Sequence, residues 1–332
     1  MAQTVEINTK QPTIYARRVL PAQFIERMEA LGAKVIVDPW EWKAEEPKPT
    51  QDISDCQIIL TVGIRDQLNI LKDAPNVKWV HSFSAGVEGI QNSPYDFSNI
   101  TITNSRGVTS VPISEHTMAM ILAFARGVPT MMTNKSERKW EMIPVMDVSS
   151  STVAIIGYGE IGSQIAKRSK ALGMKVLGCK RNPDQKALGQ DYADEIVGMD
   201  KLDEVLAEAD FVVLSLPSTE ETRYMFNKEL LSKIKKGSYL INVGRGNTIV
   251  EADLVDLLQS KHIAGAALDV FEVEPLPNNH AFWEMDEVIV SPHNSYLSPN
   301  HMDGNFELFL DNLKRYIDGE PLKNVVDIAR GY

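Results

Sequence analysis

The sequence has few cysteines, no long apolar run and fewer basic than acidic side chains. Its 332 residues include only two cysteines, Cys56 and Cys179, too few and too far apart for a disulfide framework or a zinc site. We therefore predict a reducing, cytoplasmic location and no metal site. The longest apolar run, Met118 to Ala125, is far too short to span a bilayer. The first residues lack the pattern of a secretory signal, so no membrane association is expected.

The charge balance excludes one class of partner. Lysine and arginine number 34 against 45 acidic residues, which gives a formal net charge of -11. Nucleic-acid binding favours a basic face, so we predict no nucleic-acid partner. Small anionic substrates are not excluded, because they respond to local rather than net charge. The length is sufficient for two domains with separate cores.

Short apolar and β-branched runs alternate with helical patterns along the chain. Strands that alternate with helices predict parallel α/β sheets, and continuously apolar strands predict sheets covered on both faces. The sequence therefore predicts a doubly wound α/β fold. The extended runs are 34–37, 57–62, 79–81, 100–104, 152–156, 174–179, 210–216, 238–243, 265–270 and 287–291.

Two helices have readable ends. A helical pattern over 21–31 stops at Gly32, which suits the position just past a helix C-terminus. A longer helix is predicted to run from Ser110, its candidate N-cap, through about Arg126, with Pro112 near its first turn. That helix is apolar nearly all round, so we expect it to be buried between domains or between subunits.

A glycine-rich turn follows the extended run 152–156 and opens a helix. This context is typical of a dinucleotide fingerprint, in which the helix N-terminus favours the anionic phosphates. Gly157 allows the tight turn, Gly159 lets the backbone approach the pyrophosphate, and Gly162 permits close packing of helix on strand. The alternative is a glycine turn in another α/β protein, such as a methyltransferase. The predicted cofactor-binding turn comprises Gly157, Tyr158, Gly159, Glu160, Ile161 and Gly162.

The residues after the next strand bear on the choice of cofactor. Sites for NAD place a carboxylate about twenty residues beyond the glycine turn, where it binds the ribose hydroxyls. Here Lys180 and Arg181 stand in that place, and both suit the 2′-phosphate of NADP. The sequence therefore predicts NADP(H) as the preferred cofactor with NAD(H) possible, and a solvated basic turn is the alternative explanation.

Three side chains in the last third of the chain suit reduction of a carbonyl next to a carboxylate. Arg245, after an apolar strand and between two glycines, can hold a carboxylate and polarise a ketone oxygen. His293 can pass a proton near neutral pH, and a carboxylate beside it would raise its pKa. Glu274 is the candidate partner and Glu272 a competitor. Taken singly, each of these residues has a structural explanation.

At these motifs the chain resembles the D-isomer-specific 2-hydroxyacid dehydrogenases over nearly its whole length. The resemblance rests on the glycine turn, on 211–222, on 236–246, on 266–275 and on 291–293. It implies a Rossmann-type cofactor domain over 105–295, including a dimerisation helix and arm. It also implies a discontinuous, flavodoxin-like substrate domain from 1–104 plus 296–332. The long helix from Ser110 and the arm through Trp140 would form a homodimer interface.

The same resemblance implies roles for individual residues. His293 would be the general acid/base, Glu274 its orienting partner and Arg245 the substrate anchor. Asp269 would hold the nicotinamide end of the cofactor. Further cofactor-binding positions are Leu216, Pro217, Thr222, Val243 and Gly244, and the substrate carboxylate would meet Val62, Gly63, Ala85 and Gly86.

These features predict an NADPH-dependent reductase that converts a small 2-oxo acid into the (R)-2-hydroxy acid. Lys180 and Arg181 make the chain similar to the glyoxylate/hydroxypyruvate reductase branch. An NAD-dependent dehydrogenase, lactate- or phosphoglycerate-like, is the alternative. A dinucleotide-sensing co-repressor on the same fold is a further one, although such a protein would be expected to carry extra tails or a peptide-binding surface.

Overall fold

The computed structural model describes residues 11–38, 49–64, 68–87, 90–184 and 192–329. The chain divides into two compact units. The first unit combines Met1–Val108 with Pro299–Tyr332, and the second is the continuous stretch Thr109–Ser298. These divisions lie close to the predicted domain boundaries at 104/105 and 295/296.

The first unit is built around a five-stranded sheet in the order β2-β1-β3-β4-β5. All its strand pairs are parallel, and this order is that of flavodoxin-like sheets, as predicted. Its elements are β1 (Thr13–Ala16), α1 (Ala22–Ala30), β2 (Lys34–Val37), β3 (Ile58–Thr61), β4 (Trp79–Ser82), β5 (Thr101–Asn104) and, from the C-terminal stretch, α8 (His301–Asp318).

Helices α1 and α8 pack on one face of this sheet through an aromatic cluster. Phe24 of α1 stacks on Phe306 of α8 with ring centroids 4.0 Å apart, and Trp79 of β4 stacks on Phe309 at 5.1 Å. Alternate residues of a strand point to opposite faces, and Ile14 and Ala16 of β1 belong to this cluster. The core of the first unit is therefore completed by a helix from the far end of the sequence.

The second unit contains a seven-stranded sheet in the order β12-β11-β10-β9-β6-β7-β8, again all parallel. Apolar clusters cover both of its faces, and the strand order reverses beside β6, which is where doubly wound sheets bind ligands. Its elements are α2 (Ser110–Ala125), α3 (Val128–Ser136), β6 (Thr152–Ile156), α4 (Glu160–Ala171), β7 (Lys175–Cys179), β8 (Glu195–Val197), α5 (Leu202–Glu208), β9 (Phe211–Leu214), α6 (Lys228–Leu231), β10 (Tyr239–Asn242), α7 (Glu251–Gln259), β11 (Gly265–Leu268) and β12 (Val288–Val290).

Of the two predicted helix ends, the one at Gly32 is confirmed and the one at Ser110 is wrong. Gly32 has a positive φ of 91° just past α1, as a C-terminal glycine should. The assignment of Ser110 as an N-cap was wrong: Thr109 occupies that position without a side-chain cap, and α2 begins at Ser110. The Ser110 hydroxyl is enclosed without a hydrogen-bond partner in the described structure.

The described helices are all too short or too polar to cross a bilayer. Cys56 and Cys179 are both buried free thiols. Burial raises the pKa of each thiol to about 11, so both remain protonated at neutral pH and act as packing groups.

Candidate active site

The glycine turn lies between β6 and α4 and uses each glycine differently. Gly157 has a φ of +99°, and a Cβ there would lie 2.7 Å from the carbonyl oxygen of Ser215. A Cβ on Gly162 would lie 2.9 Å from the carbonyl oxygen of Gly157, so this glycine permits helix and strand to approach closely. Gly159 is exposed, with no atom within 4 Å of a Cβ position. The open side of the turn therefore lies at Gly159.

The residues around Gly159 fit a dinucleotide pyrophosphate. Glu160 and Ile161 are the first residues of α4, and the first amides of a helix have no acceptor within it. These amides and the helix dipole favour an anion beside the open glycine. The Tyr158 side chain is buried, and a Cβ on Gly178 would lie 2.6 Å from its ring. Any contribution of Tyr158 to a ligand therefore comes from its main chain.

Lys180 and Arg181 follow β7 directly. Arg181 forms an ion pair with Glu221, which lies on the loop after β9, and both side chains are exposed. Because β7 and β9 flank β6 in the sheet, the pair joins loops on either side of the glycine turn. The sequence did not single out Glu221, and the structure thus places a carboxylate beside the cations predicted to select NADP.

The loop after β9 is held in place by its own hydrogen bonds. The Thr222 hydroxyl donates to the Pro217 carbonyl at 2.7 Å and accepts from the Thr219 amide at 2.9 Å. A Cβ on Gly244 would lie 2.7 Å from the Leu216 carbonyl oxygen, so only glycine allows the loops after β9 and β10 to come this close. Val243 is buried. Whether these residues line a cofactor stays a prediction.

Arg245 projects from the loop after β10, and its main chain is firmly held. Its carbonyl accepts hydrogen bonds from the side chains of Asn242 at 3.0 Å and Thr248 at 2.7 Å. The next residue, Gly246, lies so close to Phe271 that an added Cβ would be 2.0 Å from the Phe271 carbonyl carbon. The Arg245 loop therefore packs backbone to backbone against the segment that leads to Glu274.

Glu274 and His293 form the hydrogen bond expected of an acid/base pair, with His293 Nδ1 2.7 Å from Glu274 Oε2. The other carboxylate oxygen accepts from the Phe271 amide at 3.0 Å. Burial alone would raise the pKa of Glu274, but the hydrogen bonds from His293 and Phe271 outweigh it and lower that pKa. The hydrogen bond to Glu274 raises the pKa of His293. The imidazole is therefore biased towards its protonated form.

Asp269, at the end of β11, braces the turn that carries His293. Its buried carboxylate accepts from the Ser291 hydroxyl at 2.6 Å, the Asn294 amide at 3.0 Å and the Ser295 amide at 3.2 Å. His293 adopts a φ of 51°, a left-handed conformation that a non-glycine residue keeps only where its surroundings fix it. No local sequence pattern indicates these hydrogen bonds, and the predicted contact of Asp269 with a nicotinamide stays a prediction.

Glu272, the competitor for the carboxylate role, has a different place. Its carboxylate accepts from the Glu251 amide at 3.0 Å, and the Glu251 carboxylate accepts from the Glu272 amide at 2.8 Å. This reciprocal pair fastens the Glu274 segment to the start of α7, which follows the Arg245 loop. His280 adds a contact to Glu251 at 3.2 Å. Glu272 therefore holds the segment, while Glu274 meets His293.

The residues predicted to meet a substrate carboxylate lie in the first unit, after β3 and β4. The carboxyl ends of parallel strands share one edge of a sheet, so Val62 and Gly63 lie at the same edge as Ala85 and Gly86. Gly86 donates its amide to the Ser84 hydroxyl at 3.2 Å. Ala85 is an exposed residue, and its amide donates to no group in the described part of the chain. Ala85 therefore offers this edge an open donor.

Comparison with known proteins agrees with this arrangement. Residues 118–295 match the NAD-binding domain of the D-isomer specific 2-hydroxyacid dehydrogenases. A glyoxylate reductase of Korarchaeum cryptofilum is 29% identical over 330 residues, which cover 96% of this chain and 96% of that protein. A D-isomer specific 2-hydroxyacid dehydrogenase of Xanthobacter autotrophicus Py2, solved with NADPH and MES, has a TM-score of 0.84 at 29% identity over 97% of this chain and 100% of that one.

A second solved structure carries a more specific name. The NADPH-dependent glyoxylate/hydroxypyruvate reductase of Sinorhizobium meliloti, in complex with NADP and sulfate, has a TM-score of 0.81 at 28% identity. The likeness covers 97% of this chain and 100% of that one. With its glycine turn, its two parallel sheets and a matching segment longer than half its length, the chain belongs to the D-isomer specific 2-hydroxyacid dehydrogenase family.

Proposed function

We propose that this protein reduces a small 2-oxo acid of the glyoxylate/hydroxypyruvate type to the (R)-2-hydroxy acid with NADPH. The observation that carries the proposal is the His293–Glu274 hydrogen bond of 2.7 Å on a braced turn. It supplies an imidazole whose pKa is raised, as an acid for a developing alkoxide needs. A substrate panel of glyoxylate, hydroxypyruvate, pyruvate and phenylpyruvate tests it, and no oxidation of NADPH or NADH with any of them would refute it.

Each residue has a distinct part in this reaction. NADPH, when bound, supplies the hydride. Protonated His293 donates a proton from Nε2 to the carbonyl oxygen, while Glu274 holds Nδ1 and stabilises the imidazolium. Arg245 binds the substrate carboxylate with its forked donors and stabilises the negative charge that grows on the oxygen. Within the first unit, the amides at Gly63 and Ala85 are the groups proposed to bind a carboxylate.

The preference for NADPH is the finer part of the proposal. Lys180 and Arg181 are supported as ligands of the 2′-phosphate by their position after β7, and two structural neighbours were solved with NADPH or NADP. The ion pair of Arg181 with Glu221 weighs against this preference. When a phosphate binds, Arg181 must either leave Glu221 or bind both anions. An NAD-dependent dehydrogenase is therefore the second candidate, with Glu221 as a carboxylate near the ribose.

We expect wild-type kcat/KM with NADPH to exceed that with NADH. Removing the guanidinium in Arg181→Ala should lower kcat/KM for NADPH by about 10- to 100-fold, because a charge-assisted hydrogen bond is lost. The value for NADH should change by less than threefold. Steady-state kinetics with both cofactors measure this. The control is Lys228→Ala, which removes an exposed cation that forms an ion pair with Asp256 far along the chain. Higher kcat/KM with NADH in the wild type would overturn the preference.

We also propose that the protein is a cytoplasmic homodimer joined through α2, α3 and the following arm. Exposed apolar side chains are concentrated there, which is typical of an interaction surface; they include Val128, Met131, Met132, Trp140, Met142 and Val145. We expect analytical ultracentrifugation to give twice the mass of the chain, and Met131→Glu with Met132→Glu to shift it towards the monomer. A monomer in the wild type would contradict this.

A co-repressor role has no observation in its favour.

A further inference from the structure

Arg18 lies at the sheet edge of the first unit that carries the loops predicted to meet the substrate carboxylate. It is the second residue after β1, and the carboxyl end of β1 shares its sheet edge with the loops that carry Gly63 and Ala85. Ligands of parallel sheets bind at this edge. The Arg18 guanidinium carbon lies 5.1 Å from the centroid of the Phe83 ring, and Phe83 immediately precedes Ser84 in the loop predicted to meet the substrate carboxylate.

Among the described residues, the guanidinium of Arg18 contacts an aromatic ring and a thioether. It is half-buried, its Nε is enclosed without a hydrogen-bond partner, and its Nη2 reaches the thioether of Met302 at 3.8 Å, a weak acceptor. Within the described residues it forms no ion pair with a carboxylate. Burial is the cause that lowers its pKa, yet an arginine stays charged at physiological pH. In the part of the chain that the structure describes, no carboxylate therefore neutralises this partly desolvated charge, which costs stability.

The neighbouring arginine shows that this is not a general property of the segment. Arg17 is buried too, but it donates to the Asn69 side chain at 3.1 Å. Burial opposes the lowered pKa of nearby Asp38, hydrogen bonds from Thr50 and Tyr15 lower it, and the charge of Arg17 adds to them. Arg17 is thus satisfied within the protein, whereas Arg18 rests against an aromatic ring. Because Arg17 has a side-chain acceptor within the protein and the Nε of Arg18 has none in the described structure, we infer that Arg18 is available to a ligand.

We propose that Arg18 binds a second anionic group of the substrate, so that among 2-oxo acids larger than glyoxylate the protein prefers those with a distal carboxylate or phosphate over analogues whose distal end is uncharged. This inference rests on the proposed function, because it assigns a further substrate contact to the same reaction. The loop amides take the carboxylate next to the ketone, and Arg18, stacked on Phe83 beside that loop, takes the distal charge. Arginine suits this position because its planar fork matches carboxylate and phosphate alike.

Matched substrate pairs test the proposal. 2-Oxoglutarate and 2-oxopentanoate have the same chain length and differ only in the terminal carboxylate, and phosphohydroxypyruvate against hydroxypyruvate gives the phosphate arm. In Arg18→Met, which keeps an unbranched side chain over Phe83, we expect kcat/KM for the preferred doubly charged substrate to fall by about 10- to 100-fold. The kcat/KM for the partner that lacks the distal charge should change by less than threefold. Arg27→Met, which removes an exposed arginine paired with Glu307 in the same unit, should leave the ratio within each pair unchanged.

A stability measurement separates this role from a structural one. If Arg18 serves a ligand, removing its unpaired charge should leave the thermal midpoint of Arg18→Met unchanged or raise it. If the cation on Phe83 holds the fold, the midpoint falls and all substrates lose activity together, which would overturn the proposal. The proposal is also overturned if the kcat/KM ratio of the two substrates in each pair is the same in Arg18→Met as in the wild type. Activity on glyoxylate without any such preference would refute this inference alone, whereas no activity on any 2-oxo acid would refute the proposed function.

Discussion

Replacing His293 by glutamine should lower kcat/KM for 2-oxo acid reduction by roughly 10²–10⁴-fold, the usual contribution of a general acid. Glutamine can still donate a hydrogen bond, but it cannot transfer a proton to the developing alkoxide. The turn itself should survive, because Asp269 holds it through the Asn294 and Ser295 amides and not through the imidazole. Kinetics with saturating cofactor measure the loss, and an unchanged thermal midpoint would show that the fold is intact.

The pH dependence of kcat/KM tests the role of Glu274 beside His293. Reduction needs protonated His293, so kcat/KM in the wild type should be constant at low pH and fall as pH rises through the pKa of His293. Glu274 raises that pKa, and removing its charge in Glu274→Gln should therefore move the fall to lower pH. A profile that stays in place in Glu274→Gln, or activity of His293→Gln within tenfold of wild type, would contradict the assignment of this pair.

Replacing Arg245 by alanine should cost about 10²–10³-fold in kcat, as expected for loss of a donor to a developing oxyanion, and should raise KM as well. The guanidinium both binds the substrate carboxylate and stabilises the growing charge, so both constants should change. The loop should keep its shape, since Asn242 and Thr248 bind the Arg245 main-chain carbonyl.

A lysine at the same position separates charge from geometry. Arg245→Lys retains the positive charge but cannot make two parallel hydrogen bonds to a carboxylate, so it should recover no more than a small part of the lost activity. Turnover of Arg245→Ala close to the wild-type value would remove Arg245 from the site. Full recovery in Arg245→Lys would show that the residue acts as a simple point charge.

Periodicity and glycine context predicted most of the fold because they record which backbone positions are buried or tightly turned. The apolar runs that became β6, β9 and β10 are continuous, since both faces of their sheet are covered. Strands β1 and β8 were not singled out. Strand β8 has only three residues and begins with Glu195, so its own sequence carries little signal and its pairing with β7 decides its conformation.

The candidate site, like the fold, could be predicted from the sequence only in part. Arg245, Glu274 and His293 stand in local motifs, and the last two meet as expected. The bracing by Asp269, the reciprocal bonds of Glu251 with Glu272 and the ion pair of Arg181 with Glu221 join residues distant in sequence. Such contacts depend on strand order and loop geometry, which periodicity does not encode. The isolation of Arg18 was equally hidden, because a sequence does not show which of two adjacent arginines finds a partner.

The position of α8 also has a consequence for biosynthesis. The second unit is continuous, and its sheet can form as soon as residue 298 has left the ribosome. The first unit has its strands from the start of the chain, but the aromatic cluster between α1 and α8 needs Phe306 and Phe309. Phe24 of α1 and Trp79 of β4 therefore stay uncovered until Phe306 and Phe309 have been synthesised. The first unit is thus completed after the second one, and chaperone binding is expected on this exposed sheet face rather than on the second unit.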